Sequence, residues 1–139
     1  MATTTATFTF AEDITTANSS FTNAATLTQA GTTTGLDTIL RGTKTLTATT
    51  NVDLITTAAM VGSFTADVAT KVYIANTGTS ETEYFTIGMG AAAGTQEEIG
   101  RLYGGDWMLI PYGAADANSD VMITPSVATA MTVEYMLFN

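Results

Sequence analysis

The sequence predicts an all-β fold, a single β-sandwich that follows an extended arm rich in threonine and alanine. Threonine is the most abundant residue, and its β-branched side chain favours strands over helices. In the C-terminal half, apolar and polar residues alternate over short runs, which is the period of a half-buried strand. Turn residues separate these runs at intervals of about ten residues, a spacing typical of sandwiches, of which the jelly-roll is one type.

The chain is expected to divide into an arm at residues 1–25 and a sandwich at residues 26–139. Large apolar residues are too sparse in the first half to build an independent core. Phe8 and Phe10 alternate with threonines, which predicts a first strand in the arm. Residues 43–47 alternate in the same way and indicate an edge strand, and the glycines at 31 and 35 enclose a turn or loop.

Strands are also predicted along the second half of the chain. Residues 52–64 are compatible with a short helix or two strands, of which strands are favoured. Residues 71–76 and 82–87 are predicted to form a hairpin that turns at Gly78. The glycine-rich residues 88–94 indicate a flexible loop. The remaining predicted strands are Ile99–Tyr103, Trp107–Ile110 closed by Pro111, Asp120–Thr124 and Ala130–Phe138.

The last predicted strand becomes apolar on both faces at its end. One face carries Met131, Val133, Tyr135 and Leu137, and the other carries Thr132, Glu134, Met136 and Phe138. In so small a chain, a strand covered on both sides indicates a neighbouring subunit. Ordering the arm costs about 1 to 2 kcal/mol of backbone entropy per residue, so we expect the arm to add a strand to an exposed sheet edge of such a neighbour.

Composition excludes several kinds of partner and chemistry. The net charge is -9 with only four basic residues, and these do not cluster, so neither nucleic acid nor an anionic membrane surface is an expected partner. Histidine and cysteine are absent, which removes imidazole bases, thiolate nucleophiles and the commonest metal ligands. No apolar run approaches the roughly 18 residues of a membrane-spanning helix. We therefore expect a protein that is not an enzyme and that has no cofactor or metal.

The acidic residues offer two candidate sites, one for calcium and one for catalysis, and for both a solvent-exposed polar segment without such a role is favoured. Residues 116–120 match the opening of an EF-hand calcium loop, but Val121 and Val127 occupy the positions of its glycine and glutamate. A polar loop is therefore favoured over a calcium site. The glutamates at 81, 83, 97 and 98, with Asp106, could supply the paired carboxylates of a glycosidase, but a solvated surface explains them better.

Aromatic residues flank the predicted turn at residues 104–106. Tyr103, Trp107 and Tyr112 could form a platform for a sugar ring. A core or interface anchor is the preferred interpretation of Trp107, because aromatic side chains dominate both settings. The residues predicted to form a protein interface are Phe8, Phe10, Phe21, Trp107, Tyr112, Met136 and Phe138.

Three short motifs carry a resemblance to a known class of protein. They are the Asn76-Thr77-Gly78 turn, the Gly105-Asp106-Trp107 turn that leads to Ile110-Pro111, and the Val133-Glu134-Tyr135 segment of the last strand. With these motifs, residues 70–138, about half of the chain, resemble small β-sandwich virion proteins of tailed bacteriophages, in particular head decoration or cement proteins and related minor capsid proteins.

The resemblance implies a structural virion protein, made in the host cytoplasm, that decorates and stabilises the capsid exterior. It implies the major capsid protein as the partner and a homotrimer as the oligomer. It carries over no catalytic or ligand-binding residues. The alternative hypothesis is a carbohydrate-binding or receptor-binding β-sandwich module of a phage fibre or a cell-surface protein.

Overall fold

The computed structural model describes residues 4–11, 20–29, 31–36, 38–56, 69–91, 95–113 and 119–139. The chain divides into two compact units, Met1–Asp37 and Thr38–Asn139. Every regular element in the described ranges is a β-strand. The same ranges contain no helix that is long and apolar enough to cross a membrane.

The first unit contains one antiparallel pair of strands. Strand β1 is Thr4–Ala11 and strand β2 is Ser20–Leu27, and they pair in unbroken register. β1 confirms the strand predicted in the arm, whereas β2 was not predicted because its apolar residues do not alternate. Gly31 has a φ of 70°, which confirms the turn expected there, since this conformation suits glycine.

The second unit contains two antiparallel sheets of four strands each, so the predicted sandwich is confirmed. The strand order is β3-β10-β5-β8 in the first sheet and β4-β9-β6-β7 in the second. The strands are β3 (Ile39–Leu46), β4 (Val52–Ile55), β5 (Thr70–Asn76), β6 (Tyr84–Gly90), β7 (Glu97–Tyr103), β8 (Trp107–Tyr112), β9 (Asp120–Pro125) and β10 (Met131–Phe138).

The order of pairing identifies the sandwich as a jelly-roll. β3 pairs with β10, β4 with β9, β5 with β8 and β6 with β7, so the pairs are nested about the β6–β7 connection. Of the connections between successive described strands of this unit, only β6–β7 joins neighbours in one sheet. This arrangement is the double-sheet jelly-roll, in which both sheets face a single core.

The core between the sheets is built from alternate residues of their strands. Such residues point to the same face of a strand, so one face can be apolar throughout. The fully buried members of this core are Val72, Ile74, Phe85, Ile87, Val121, Ile123 and Val133. Both sheets contribute, and the apolar alternation of the sequence is therefore explained by burial on one side of each sheet.

The predicted hairpin of residues 71–76 and 82–87 is wrong. Both segments contain strands, but β5 lies in the first sheet and β6 lies in the second. Buried Asn76 holds the crossing connection: its Nδ2 donates to the Leu102 carbonyl at 3.0 Å, and its Oδ1 accepts from Gly78 N at 2.9 Å. Stacked sheets lie about 10 Å apart, a distance that this connection can span. The turn-forming residues between β5 and β6 therefore allow a crossing between sheets as well as a hairpin, and they do not by themselves decide the pairing.

Two smaller predictions are also corrected. Gly88 and Gly90 lie in β6 rather than in a loop, and a Cβ on Gly88 would lie 2.8 Å from the Glu97 carbonyl oxygen. Glycine is therefore used here for close approach of two backbones. Pro111 lies inside β8 instead of closing it, and because β8 is an edge strand, the missing N–H removes no ladder bond. Residues 57–64 and 92–94, about which predictions were also made, lie outside the described residues.

The buried position of Ile87 and the exposed position of Ile99 give a matched test of the core. Ile87 is 0% exposed and Ile99 is 47% exposed. We expect Ile87→Ala to lower the free energy of unfolding by about 2 to 5 kcal/mol, and Ile99→Ala to change it by less than about 0.5 kcal/mol. Urea unfolding followed by circular dichroism measures both values, and equal losses would contradict the described core.

Candidate protein-binding face

The outer surface of the first sheet carries apolar and aromatic side chains where an antiparallel sheet commonly carries polar ones. Val72, Ile74, Val133 and Leu137 belong to the core, so their neighbours along each strand point outward. We call the outward residues Tyr73, Ala75, Trp107, Leu109, Pro111, Met136 and Phe138 the aromatic face. The charged Lys71 also points outward, at one end of this face, where it lies between Phe138 and Pro111.

The register of the first sheet sets these residues in rows across the strands. Met136 lies opposite Tyr73, which lies opposite Leu109. In the next row Ala75 lies opposite Trp107. Directly opposed side chains in an antiparallel pair are close enough to pack together, so the rows make one continuous surface across β10, β5 and β8.

Trp107 is the most exposed aromatic residue in the described part of this face. Its side chain is 48% exposed, and its ring centroid lies 6.0 Å from that of Tyr73 with an interplanar angle of 32°. Aromatic pairs at this separation attract each other. Tyr73 therefore holds Trp107 in place while leaving much of the indole open to a partner.

An ion pair borders the aromatic face on the side of β3. Arg41 Nη2 lies 2.6 Å from Glu134 Oε1, and Arg41 Nε donates to the same oxygen at 2.7 Å. The Arg41 side chain is 65% exposed and the Glu134 side chain 20%. Because the two charges neutralise each other, the border is polar without carrying a net charge.

The structure brings together three of the seven predicted interface residues. Trp107, Met136 and Phe138 share the aromatic face, although Phe138 is only 8% exposed. Phe8 lies in β1, and the register places Phe10 of β1 opposite Phe21 of β2. For these three residues the backbone is described and the side chains are not.

Tyr112 is corrected from an interface residue to a core residue. Its side chain is 2% exposed, and its hydroxyl donates to the Ser119 carbonyl at 2.7 Å. The sequence shows aromatic residues at both ends of β8, but it could not tell which side of the strand each of them would face. Trp107 and Tyr112 stand five positions apart and therefore lie on opposite faces of the strand.

The sugar platform considered for Tyr103, Trp107 and Tyr112 does not form. Trp107 packs on Tyr73 in the first sheet, whereas Tyr103 packs on Tyr84 in the second sheet, with ring centroids 5.1 Å apart. Tyr112 is in the core. The three aromatic side chains therefore present no common surface.

A second polar and aromatic cluster lies on the second sheet. Arg101 Cζ is 4.7 Å from the centroid of the Tyr84 ring, and Arg101 Nε is 3.2 Å from Glu98 Oε1. Tyr84 and, next, Glu98 raise the pKa of the Arg101 guanidinium electrostatically. Arg101 therefore stays charged. It forms an ion pair with Glu98, which is one of the carboxylates considered for glycosidase chemistry.

Asp106, another of the acidic residues considered for catalysis, is used by a turn. Asp106 Oδ2 accepts a hydrogen bond from Tyr103 N at 2.9 Å, so this carboxylate caps the turn before β8. Within the described ranges, no group of three or more His, Cys, Asp or Glu side chains could hold a metal ion. Residues 116–118 of the EF-hand-like segment lie outside those ranges.

A polar cleft of about 180 Å³ opens near the end of β5. Two of its polar side chains are used by the surrounding loops. Thr77 Oγ1 donates to the Thr132 carbonyl at 3.0 Å, and Ser80 Oγ accepts from the backbone N–H groups of Thr82 and Glu83. The cleft is also smaller than the roughly 300 to 1,000 Å³ of ordinary ligand pockets. It is therefore a weaker candidate site than the aromatic face.

Comparison with known proteins adds little to this geometry. No family model matches the chain, and no curated protein matches it. Among solved structures, the chain is similar to the crystal structure of Yersinia pseudotuberculosis-derived mitogen (YPM), with a TM-score of 0.46 and 13% sequence identity. The match covers 73% of this chain and 85% of that chain. A similarity at this level carries no argument about function.

The exposure of Trp107 can be tested by fluorescence because it is the single tryptophan of the chain. We expect acrylamide to quench its emission readily, and we expect Tyr73→Ala to increase the quenching constant by removing the neighbouring ring. Tyr103→Ala, which removes an aromatic ring from the other sheet, should leave the constant unchanged. Emission that resists quenching would show that the indole is covered.

Proposed function

We propose that this protein is a structural virion component that binds the exterior of a phage capsid through the aromatic face. The observation that carries the proposal is the exposed Trp107 packed on the half-buried Tyr73, set among Leu109, Met136 and Ala75 on the outside of the first sheet. The partner proposed is the major capsid protein. The proposed result of binding is stabilisation of the shell.

The chemistry of the aromatic face suits a protein partner. Interfaces between proteins are enriched in tryptophan, tyrosine, methionine and arginine, and charged residues lie at their rims. The aromatic face has this composition, with the Arg41–Glu134 pair at its border. A buried tryptophan is also a common source of binding energy, and Trp107 has about half of its surface left to bury.

The fold is compatible with the proposal but does not decide it. Jelly-rolls occur in viral capsid proteins, in lectins and in enzymes such as cupins. Function must therefore be argued from the site. An apolar face without a cluster of ligand-binding groups favours adhesion to another protein over catalysis.

Carbohydrate or receptor binding is the second candidate function. An exposed aromatic pair is also a feature of sugar-binding surfaces, since a sugar ring can stack on an indole. Such a site needs a few polar groups placed to fix the hydroxyls of its ligand. Beside Trp107 the register places Ala75, with Tyr73 and Leu109 near by, so a protein surface fits this face better than a sugar does.

Substitution of Trp107 tests the proposed attachment. We expect Trp107→Ala to weaken binding to expanded shells of the phage that encodes the chain by at least about 2 kcal/mol per site, as removal of a hot-spot residue does. That loss corresponds to about a thirtyfold increase in Kd. Co-sedimentation of the protein with purified shells measures the change.

Tyr103→Ala is the matched control, because Tyr103 is a 37% exposed aromatic residue on the other sheet. The affinity of the Tyr103→Ala variant for shells should equal that of the unsubstituted protein. If the protein does not bind shells, or if both variants bind equally well, the aromatic face is not the attachment surface. Binding to a glycan array that is lost in Trp107→Ala would favour the carbohydrate alternative.

A further inference from the structure

Among the four edge strands of the sandwich, β3, β8, β4 and β7, β3 is the least protected. It is eight residues long and pairs with β10 without a register shift from Ile39 to Leu46. It contains no proline. Natural proteins usually protect an edge by making it short, by a bulge, by proline or by projecting charges, and β3 lacks the first three of these features.

Each of the other three edge strands of the sandwich carries at least one of these protections. β8 contains Pro111. β4 is only four residues long, and its register shifts between Asp53 and Ile55. β7 pairs with β6 through a register shift at Ile87/Gly88 and carries Glu97, Glu98 and Arg101 in its sequence.

The hydrogen bonds at the start of β3 show which backbone groups face away from β10. Thr38 and Asn139 exchange two bonds, N to O in each direction, at 3.1 Å. In an antiparallel ladder every second opposed pair exchanges bonds in this way. The exchanging pairs therefore continue at Leu40, Gly42, Lys44 and Leu46, so the N–H and C=O groups at 39, 41, 43 and 45 point toward the open edge.

The two charged side chains of β3 are held away from the position of an added strand. Arg41 is bound to Glu134 on β10, and Lys44 Nζ donates to the Asp53 carbonyl of β4 at 2.8 Å. The apolar Ile39 and Leu40 are 57% and 43% exposed on the same strand. The edge thus offers apolar side chains and open backbone groups.

We infer that the edge of β3 binds the β1–β2 hairpin of a second copy of this chain, which extends the first sheet by strand addition. A two-stranded hairpin is at best marginally stable alone in water, so pairing with a third strand would stabilise it. Among the described strands β3 pairs with β10 alone, so the backbone groups on its other side can supply that third strand. The added main-chain hydrogen bonds give the affinity, as they do in other cases of strand addition.

Charge favours the hairpin over a second β3 as the added strand. The hairpin strands Thr4–Ala11 and Ser20–Leu27 contain no charged residue, whereas β3 carries two of the four basic residues of the chain. Pairing β3 with itself would bring Arg41 and Lys44 of both copies to one contact, and the approach of like charges disfavours a partner. A hairpin strand brings no like charge to β3.

The inferred contact is heterologous, because one copy gives its hairpin and the next gives its β3 edge. Repetition of such a contact produces a closed ring when the rotation between copies allows closure, and a homotrimer is the smallest such ring beyond a dimer. The inference does not rest on capsid attachment, since it concerns contact between copies of the chain alone.

Proline at position 43 tests the inference on the full-length chain. Thr43→Pro removes an outward N–H of β3 and no bond to β10, whereas Thr43→Val keeps the N–H and the β-branched shape. In sedimentation equilibrium we expect the unsubstituted protein and Thr43→Val to form oligomers, and Thr43→Pro to sediment near the monomer mass of 14.4 kDa. A monomeric unsubstituted protein, or a Thr43→Pro variant that still forms the oligomer, would overturn the inference.

Cysteine cross-linking gives a second test that does not depend on the folding of the proline variant. The chain has no cysteine, so single variants can be mixed and oxidised cleanly. We expect Thr43→Cys to form a disulfide with a member of the hairpin series Thr5→Cys, Thr7→Cys, Thr9→Cys, Thr22→Cys and Thr26→Cys. Cross-linking of Thr43→Cys only to itself would identify β3 as its own partner and refute the hairpin contact.

The variant that tests shell binding, Trp107→Ala, also distinguishes this inference from the proposed function. Trp107→Ala changes the aromatic face and leaves the β3 edge intact, so it should form the same oligomer as the unsubstituted protein. An oligomer that persists without shell binding would refute the capsid proposal alone. Shell binding by a protein that is monomeric at all concentrations would refute the strand addition alone.

Discussion

The pairing of β10 with both β3 and β5 is the constraint on which the rest of the sandwich depends. β10 is the last strand of the chain, yet it lies between the first and third strands of its unit. Its inner residues Val133 and Leu137 belong to the core, and Met136 on its outer side joins β3 and β5 in one surface. Because this pairing joins distant parts of the sequence, the fold depends on long-range contacts and is expected to form slowly for its size.

The positions of most strands could be predicted from the sequence, with β2 an exception, whereas much of their pairing could not. Alternation of apolar and polar residues is a local property, and it located the strands at 71–76, 120–124 and 130–138. The partner of each strand depends on which apolar faces meet across the core. Asn76 illustrates the difference, because its turn-forming sequence suggests a hairpin while its buried side chain bonds to Leu102 of the opposite sheet. The residues next to Asn76 in the sequence do not indicate such a long-range bond.

The same limit explains where the predicted interface residues lie. Trp107 and Met136 lie on the outer face of the first sheet, whereas Tyr112 lies in the core. An aromatic side chain serves equally well in either setting, and only the strand alternation relative to Trp107 separates the two. Tyr73 was missed, although Val72 and Ile74 on either side of it alternate with it. Had those two been assigned to the core first, Tyr73 would have been placed on the outer face.

The aromatic face and the β3 edge present different chemistry on one sheet, and this difference allows two partners at once. A partner on the face meets side chains that stand perpendicular to the sheet, such as Trp107. A strand added to β3 meets backbone groups that lie within the plane of the sheet. The Arg41–Glu134 pair lies between the two surfaces and belongs to neither contact exclusively. Occupation of one surface therefore need not block the other, so the proposed attachment to a capsid and the inferred contact between copies are compatible on one sheet.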